Sequence, residues 1–276
     1  MPSGRRSTQR RTSAWALNTV NEPTETFSVS LSGAVNATIA DATGVGTVLD
    51  NDTTPALSIS DVSVTEGNTG MVNAVFTVTL SVVGSQTVTV NYATVNGTAI
   101  APADYTAKSG TLSFAAGATT ETITVAVAGD TLDEADDTFS VNLSGPVNAT
   151  IADAAGTGTI IDDDAAPTLT IANASTTEGN AGTKKLTFTL TLSKASGRSL
   201  SVAYATANGS AVAGSDYSAL SGTVVFAAGT VSRTIAVDIL GDTTREPNET
   251  FVVNLSLPVN VILGVTQATG TILNND

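Results

Sequence analysis

The chain has 276 residues, no cysteine, no histidine and a net charge of −14. The two missing residue types exclude disulfide frameworks, thiolate metal sites, Ser-His-Asp triads and imidazole-held zinc or copper. The acidic balance argues against nucleic acid as a partner, and no apolar run in the sequence approaches the length of a transmembrane segment.

Residues 1–16, MPSGRRSTQRRTSAWA, carry four arginines and no apolar core of signal-peptide type, and read as a short disordered basic tail. From Leu17 onward the chain repeats itself. Glu66, Tyr92, Asp104, Phe114, Asp130 and Phe139 recur 112 positions later as Glu178, Tyr204, Asp216, Phe226, Asp242 and Phe251, without a gap. The same offset runs back from Phe139 to Phe27 and from Asp164 to Asp52. The units are therefore a partial one over 17–53 and two full ones over 54–165 and 166–276. Because the match stops abruptly before Leu17, the chain is expected to begin inside one repeat of a longer array.

The middle unit reads as short strands separated by turns. Leu57 to Ser60 opens it, and Thr65-Glu66-Gly67-Asn68 is a turn. Phe76, Val78 and Leu80 alternate with polar residues, as do Val88, Val90 and Tyr92. Asn96-Gly97 signals another turn, and a longer loop runs through Asp104-Tyr105. Leu112 to Phe114, then Ile123, Val125 and Val127, lead into the acidic stretch GDTLDEADD from Gly129 to Asp137. Phe139, Val141 and Leu143 follow, and Gly158 to Ile161 closes the unit at Asp162-Asp163-Asp164. No segment has a helical period. Seven short strands in such a unit predict an all-β protein of tandem immunoglobulin-like seven-stranded β-sandwiches, without the cysteine pair or buried tryptophan of antibody domains.

Alternating strand directions sort the loops between two poles. Glu66, Asp104, Asp130, Asp133, Glu134, Asp136, Asp137, Asp162, Asp163 and Asp164 then fall at one pole, which is ten of the unit's thirteen acids. Such crowding destabilises the metal-free state by mutual repulsion. Ca²⁺ takes roughly six to eight hard oxygen ligands in flexible geometry, and one or two such ions suit this set better than Mg²⁺ or a transition metal. A solvated acidic pole is the bland alternative. In the third unit Asp133, Asp136, Asp162 and Asp163 are replaced by Arg245, Asn248, Asn274 and Asn275, which predicts a weaker site.

Several motifs together resemble the Calx-beta domain: VTEGN at Val64 to Asn68, YATVNGTA at Tyr92 to Ala99 with ADY ending at Tyr105, SGTLSFAAG at Ser109 to Gly117, GDTLDEADDTFSVNLS at Gly129 to Ser144, and GTGTIIDDD at Gly156 to Asp164. That family includes calcium-sensing domains of sodium–calcium exchangers, a domain of integrin beta-4 and many bacterial surface-protein repeats. The resemblance covers residues 17–276 and implies calcium at one pole of each sandwich. By motif position the implied ligands are Glu66, Asp104, Asp130, the Leu132 carbonyl, Glu134, Asp137, Asp162, Asp163 and Asp164. In the third unit they are Glu178, Asp216, Asp242, the Thr244 carbonyl, Glu246, Glu249 and Asp276.

Each unit should join the next head to tail, with the acidic pole at the junction. The expected function is a non-catalytic, calcium-stabilised stalk or adhesion segment, in cell communication or surface attachment. The alternatives are a metal-free immunoglobulin-like spacer and a glycan-binding accessory module. The single tryptophan, Trp15, and the low aromatic content disfavour the glycan reading. Expected partners are calcium ions, with a cell-surface protein or glycan as a further candidate. Millimolar calcium places the protein outside the cell or at its surface.

Overall fold

The computed structural model describes residues 19–276, and the basic tail expected over 1–16 lies outside them. Twenty strands and no helix are present among the described residues, and so no helix long and apolar enough to cross a membrane. β1 (Glu25–Ser30) and β2 (Thr43–Val48) form an antiparallel hairpin. Phe27 faces Gly46 in its register, the pairing that Phe139 and Gly158 make in the middle unit. Val29, Leu31 and Val45 of this hairpin are exposed.

The middle unit contains β3 (Ala56–Ile59), β4 (Val62–Thr65), β5 (Gly70–Leu80), β6 (Val88–Asn96), β7 (Ser109–Phe114), β8 (Thr120–Gly129), β9 (Asp137–Val147), β10 (Thr150–Ile151) and β11 (Ala155–Ile161). One sheet has the order β10-β3-β5-β8 and the other β4-β11-β9-β6-β7. Alternation along β5 turns Ala74, Phe76, Val78 and Leu80 inward between the sheets. Phe139 centres this core, with Tyr105 stacked on it at 4.4 Å and Phe76 edge-on at 5.8 Å.

Nine strands stand where seven were expected. The first expected strand is two, β3 and β4, which join different sheets. The switch has a local cause: Ser60 Oγ accepts a hydrogen bond from Thr77 N in one sheet, and Asp61 Oδ1 accepts one from Thr157 N in the other. The ninth is β10, a two-residue strand that extends the loop between β9 and β11 and pairs in parallel with β3.

The third unit repeats this arrangement with β12 (Thr168–Ile171), β13 (Ala174–Thr177), β14 (Gly182–Leu192), β15 (Leu200–Asn208), β16 (Ser221–Phe226), β17 (Ser232–Gly241), β18 (Glu249–Val259), β19 (Ile262–Leu263) and β20 (Gln267–Leu273). It has its own core, in which Tyr217 stacks on Phe251 at 4.3 Å. The two full units meet through loops. Asp133, between β8 and β9, is buried against Ser196, between β14 and β15. Ser196 Oγ lies 2.6 Å from Asp133 Oδ2 and 2.9 Å from its carbonyl, and Gly197 N donates to the same carbonyl at 3.0 Å. The hairpin meets the middle unit in the same register: Ser85 N donates to Asn21 O at 3.2 Å. One docking geometry is thus used twice, through main-chain bonds that tolerate a change of side chain.

Candidate metal centre

Four segments bring the acids of the middle unit to one end. Glu66 follows β4 directly and is 6% exposed. Asp104 sits in the loop between β6 and β7, where the fully buried Tyr105 anchors the chain and Ile100 N donates to Asp104 Oδ2 at 2.6 Å. Asp130, Leu132 and Glu134 lie on the loop after β8, whose turn is closed by Leu132 N donating to Asp130 Oδ1 at 2.7 Å. Asp137 begins β9, and Asp162, Asp163 and Asp164 follow β11.

Glu66, Asp162 and Asp164 form a group in which one carboxylate oxygen from each lies within 4.8 Å of the others. Asp162 Oδ1 and Asp164 Oδ2 are buried and have no hydrogen-bond partner among the described residues. Buried carboxylate oxygens are ordinarily satisfied, so a pair left open toward a third carboxylate is the pattern a cation completes. The donors are hard oxygens throughout, which fits Ca²⁺.

The electrostatics agree with the geometry. Burial, followed by the fields of Asp130, Asp162, Glu134 and Asp164, pushes the Glu66 carboxyl up to about 7. Glu134 is raised by burial and then by Asp130, Asp104, Asp137 and Asp162. Asp162 is also raised by burial, against hydrogen bonds from the Glu134 and Asp164 backbone.

Not every acid of the pole faces this group. Asp163 is exposed, and its Oδ1 accepts from Gly67 N at 3.1 Å. Asn275 makes the same bond to Gly179 N at 2.7 Å in the third unit, so an uncharged amide serves there equally. Asp136 accepts from Asp162 N at 3.2 Å, as Asn248 does from Asn274 N at 3.1 Å. Asp133 is taken up by the junction. Asp163→Asn is therefore expected to change stability by less than about 0.5 kcal/mol and to leave calcium affinity unaltered, as chemical denaturation and calcium titration would show.

The third unit arranges its residues differently. Asp216, Glu246 and Glu249 form a group within 4.8 Å, and Glu249 is held at about 7 by burial and by a hydrogen bond shared with Asp216. Glu178 is buried and its carboxyl raised by that burial and then by Asp242, Asp276, Glu246 and Asp216. Asn274 Nδ2 stands within 3.2 Å of Glu178 Oε1 and 3.3 Å of the Thr244 carbonyl, and donates to both. This amide occupies the position of Asp162, and hydrogen-bonds two of the oxygens that the Calx-beta resemblance implies as metal ligands. Asp242 Oδ1 accepts from Thr244 N at 2.6 Å, and Asp276 accepts from Asn180 Nδ2.

Sequence reasoning missed the residues that the third unit sends into the middle unit's pole. Lys194 Nζ donates to the Thr131 carbonyl at 2.7 Å and lies 4.0 Å from Asp164 Oδ1. Gly197 sits so close to Glu134 that an added Cβ would fall 2.5 Å from Glu134 Oε1. The signal was the head-to-tail order itself, which sets the loop between β14 and β15 against the preceding pole.

The protein is thus a tandem of β-sandwiches, each with a polar cluster of carboxylates at one end. The Calx-beta domain family profile matches residues 49–165 and 162–276, and the chain belongs to that family. Among solved structures it is similar to CBD12 from CALX1.2, at 22% identity over 79% of this chain and 99% of that one, with a TM-score of 0.38. It is also similar to the calcium binding domain CBD12 of CALX1.1, at 23% identity over 78% of this chain and 99% of that one, TM-score 0.38. A third is the apo-form Calx CBD1 domain, at 25% identity over 40% of this chain and 98% of that one, TM-score 0.35. No curated protein sequence matches the chain.

Proposed function

We propose that the chain is a non-catalytic, calcium-binding repeat segment, in which the middle unit holds the cation and the junction transmits its stabilising effect. The observation that carries this reading is the pair of buried, unpartnered oxygens on Asp162 and Asp164 beside the buried Glu66. Glu66, Asp162 and Asp164 would hold the ion, with Glu134, Asp130 and the Leu132 carbonyl closing it from the loop after β8. A bound cation supplies the positive charge that this end otherwise lacks and so stabilises the fold. The third unit takes the weaker role, since the Asn274 amide already satisfies Glu178 and the Thr244 carbonyl. The register shared by β1–β2 and β9–β11 supports reading residues 17–53 as the last strands of a further unit. A spacer or adhesion role outside the cell, where calcium is millimolar, would keep such a site filled.

The third unit supplies the test. Asp162→Asn places the Asn274 amide in the middle unit. In excess chelator it is expected to raise stability by about 1–2 kcal/mol through the new amide donor and the removed charge. Millimolar calcium, which should raise the parent's melting temperature, should then lose most of its effect. A calcium increment that survives this substitution intact would sink the assignment.

A further inference from the structure

A side-chain nitrogen enters each pole, donating to a carboxylate or to a carbonyl beside the carboxylates, and its origin differs from pole to pole. At the hairpin, Asn21 Nδ2 donates to Asp50 Oδ2 at 3.0 Å. In the third unit the donor is Asn274, from within the same sandwich. In the middle unit it is Lys194, which belongs to the next sandwich. The corresponding position in the middle unit is Val82, so the lysine appears only at the junction that carries three consecutive acids after its last strand.

Lys194 does not reach the pole by chance of a long side chain. The loop that bears it is fixed to the loop after β8 by Gly197 N on the Asp133 carbonyl and by Ser196 on the Asp133 carboxylate, and it is braced within its own sandwich by Gly229 N on the Ser196 carbonyl. The ammonium is held by the Thr131 carbonyl, one residue from Asp130 and Leu132. Its nearest carboxylate, Asp164, is only 4% exposed at the side chain, and the far oxygen of that group is one of the two left without a partner. A cleft of about 340 Å³ between Asp130, Leu132 and Lys194 opens this flank to solvent. Lys194 thus stands beside the cation position without filling it.

We propose that Lys194 is an affinity-determining residue of the middle unit's cation site, contributed by the following unit as a tethered counter-charge. It lowers repulsion among the acids when no ion is bound, and it repels a divalent ion that arrives. The charge makes the metal-free junction more stable and raises the calcium concentration at which the site fills. The inference rests on the calcium reading above. It extends that reading by making occupancy of one unit depend on its neighbour.

The test uses the full chain with Lys194→Met and with Lys194→Arg, which keeps the charge. At low ionic strength in chelator, Lys194→Met should melt below the parent, and added salt should shrink the difference. In calcium titrations followed by calorimetry, Lys194→Met should bind roughly fivefold more tightly, from removal of one unit charge near a divalent ion, while Lys194→Arg should follow the parent. Unchanged calcium affinity in Lys194→Met would overturn the proposal. Weaker binding would overturn it too, because Lys194 would then be clamping the ligand loop and not opposing the ion. A parent that shows no calcium response ends the calcium reading and the affinity claim with it. The chelator comparison still decides whether Lys194 neutralises the pole.

Discussion

Gly129→Ala is expected to lower stability by about 3 kcal/mol and to weaken calcium binding at the middle unit. A Cβ on Gly129 would lie 2.1 Å from the Gly67 carbonyl oxygen and 2.5 Å from that of Glu66. Both obstacles are backbone, in a turn where Gly67 already holds φ at +74°, so no flexible side chain can move aside. Either the pairing of Gly70 with Gly129 at the end of β5 and β8 opens, or the turn shifts and takes Glu66 with it. Gly241 stands in the same relation to Gly179, with a Cβ distance of 2.2 Å, so Gly241→Ala should cost the third unit a similar amount. Gly44→Ala is the control, since nothing lies within 4 Å of its Cβ position. Urea unfolding of the three variants reads the costs. A Gly129→Ala loss no greater than that of Gly44→Ala would show that the turn does not abut β8 as described.

The second large effect is a reversal of the pH dependence of stability by calcium. Without metal, Glu66 titrates near 7 in the fold against 4.5 for the free side chain. A group raised in this way contributes stability that is fully present below about pH 4.5. That contribution is lost as the pH climbs to 7, because the folded state must then hold an unwanted charge. Glu249 adds the same trend in the third unit. The metal-free chain should therefore become less stable between pH 4.5 and 7, by on the order of 2 kcal/mol after allowance for solvent screening at the pole. A calcium ion favours the ionised carboxylates, so the increment it gives should be small at pH 5 and large at pH 7.5. Melting curves at the two pH values, in chelator and in millimolar calcium, measure the four quantities. An increment of equal size at both would mean that Glu66 does not face the ion.

These two predictions draw on different depths of the sequence. The acid at position 66 was legible as a member of the pole, because strand direction alternates and each turn must lie at one end or the other. The obligation on Gly129 was not, because it depends on a turn about 60 residues away touching the end of β8. The same division runs through the acid-rich loop. Counting charges from Asp130 to Asp137 treats Asp133, Asp136 and Glu134 as equals, and only the resemblance to the family singles out Glu134. In the fold, Asp133 faces the next unit, Asp136 accepts a backbone bond, and Glu134 stays among the ligand candidates. Nothing local to Asp163 signals that its side chain turns to Gly67.

By itself the sequence determined the repeat, the two-residue alternation of its strands, and the gathering of acids at one end of each unit. All three follow from periodicity along the chain, which spacing records directly. Only the tertiary structure decided which carboxylates come within 4.8 Å of one another and which cap a turn. It also showed that the Asn274 amide bonds Glu178 and the Thr244 carbonyl, and that Lys194 enters from the neighbouring unit. Those outcomes depend on side-chain direction and on contacts between segments remote in sequence, and neither leaves a mark in local spacing.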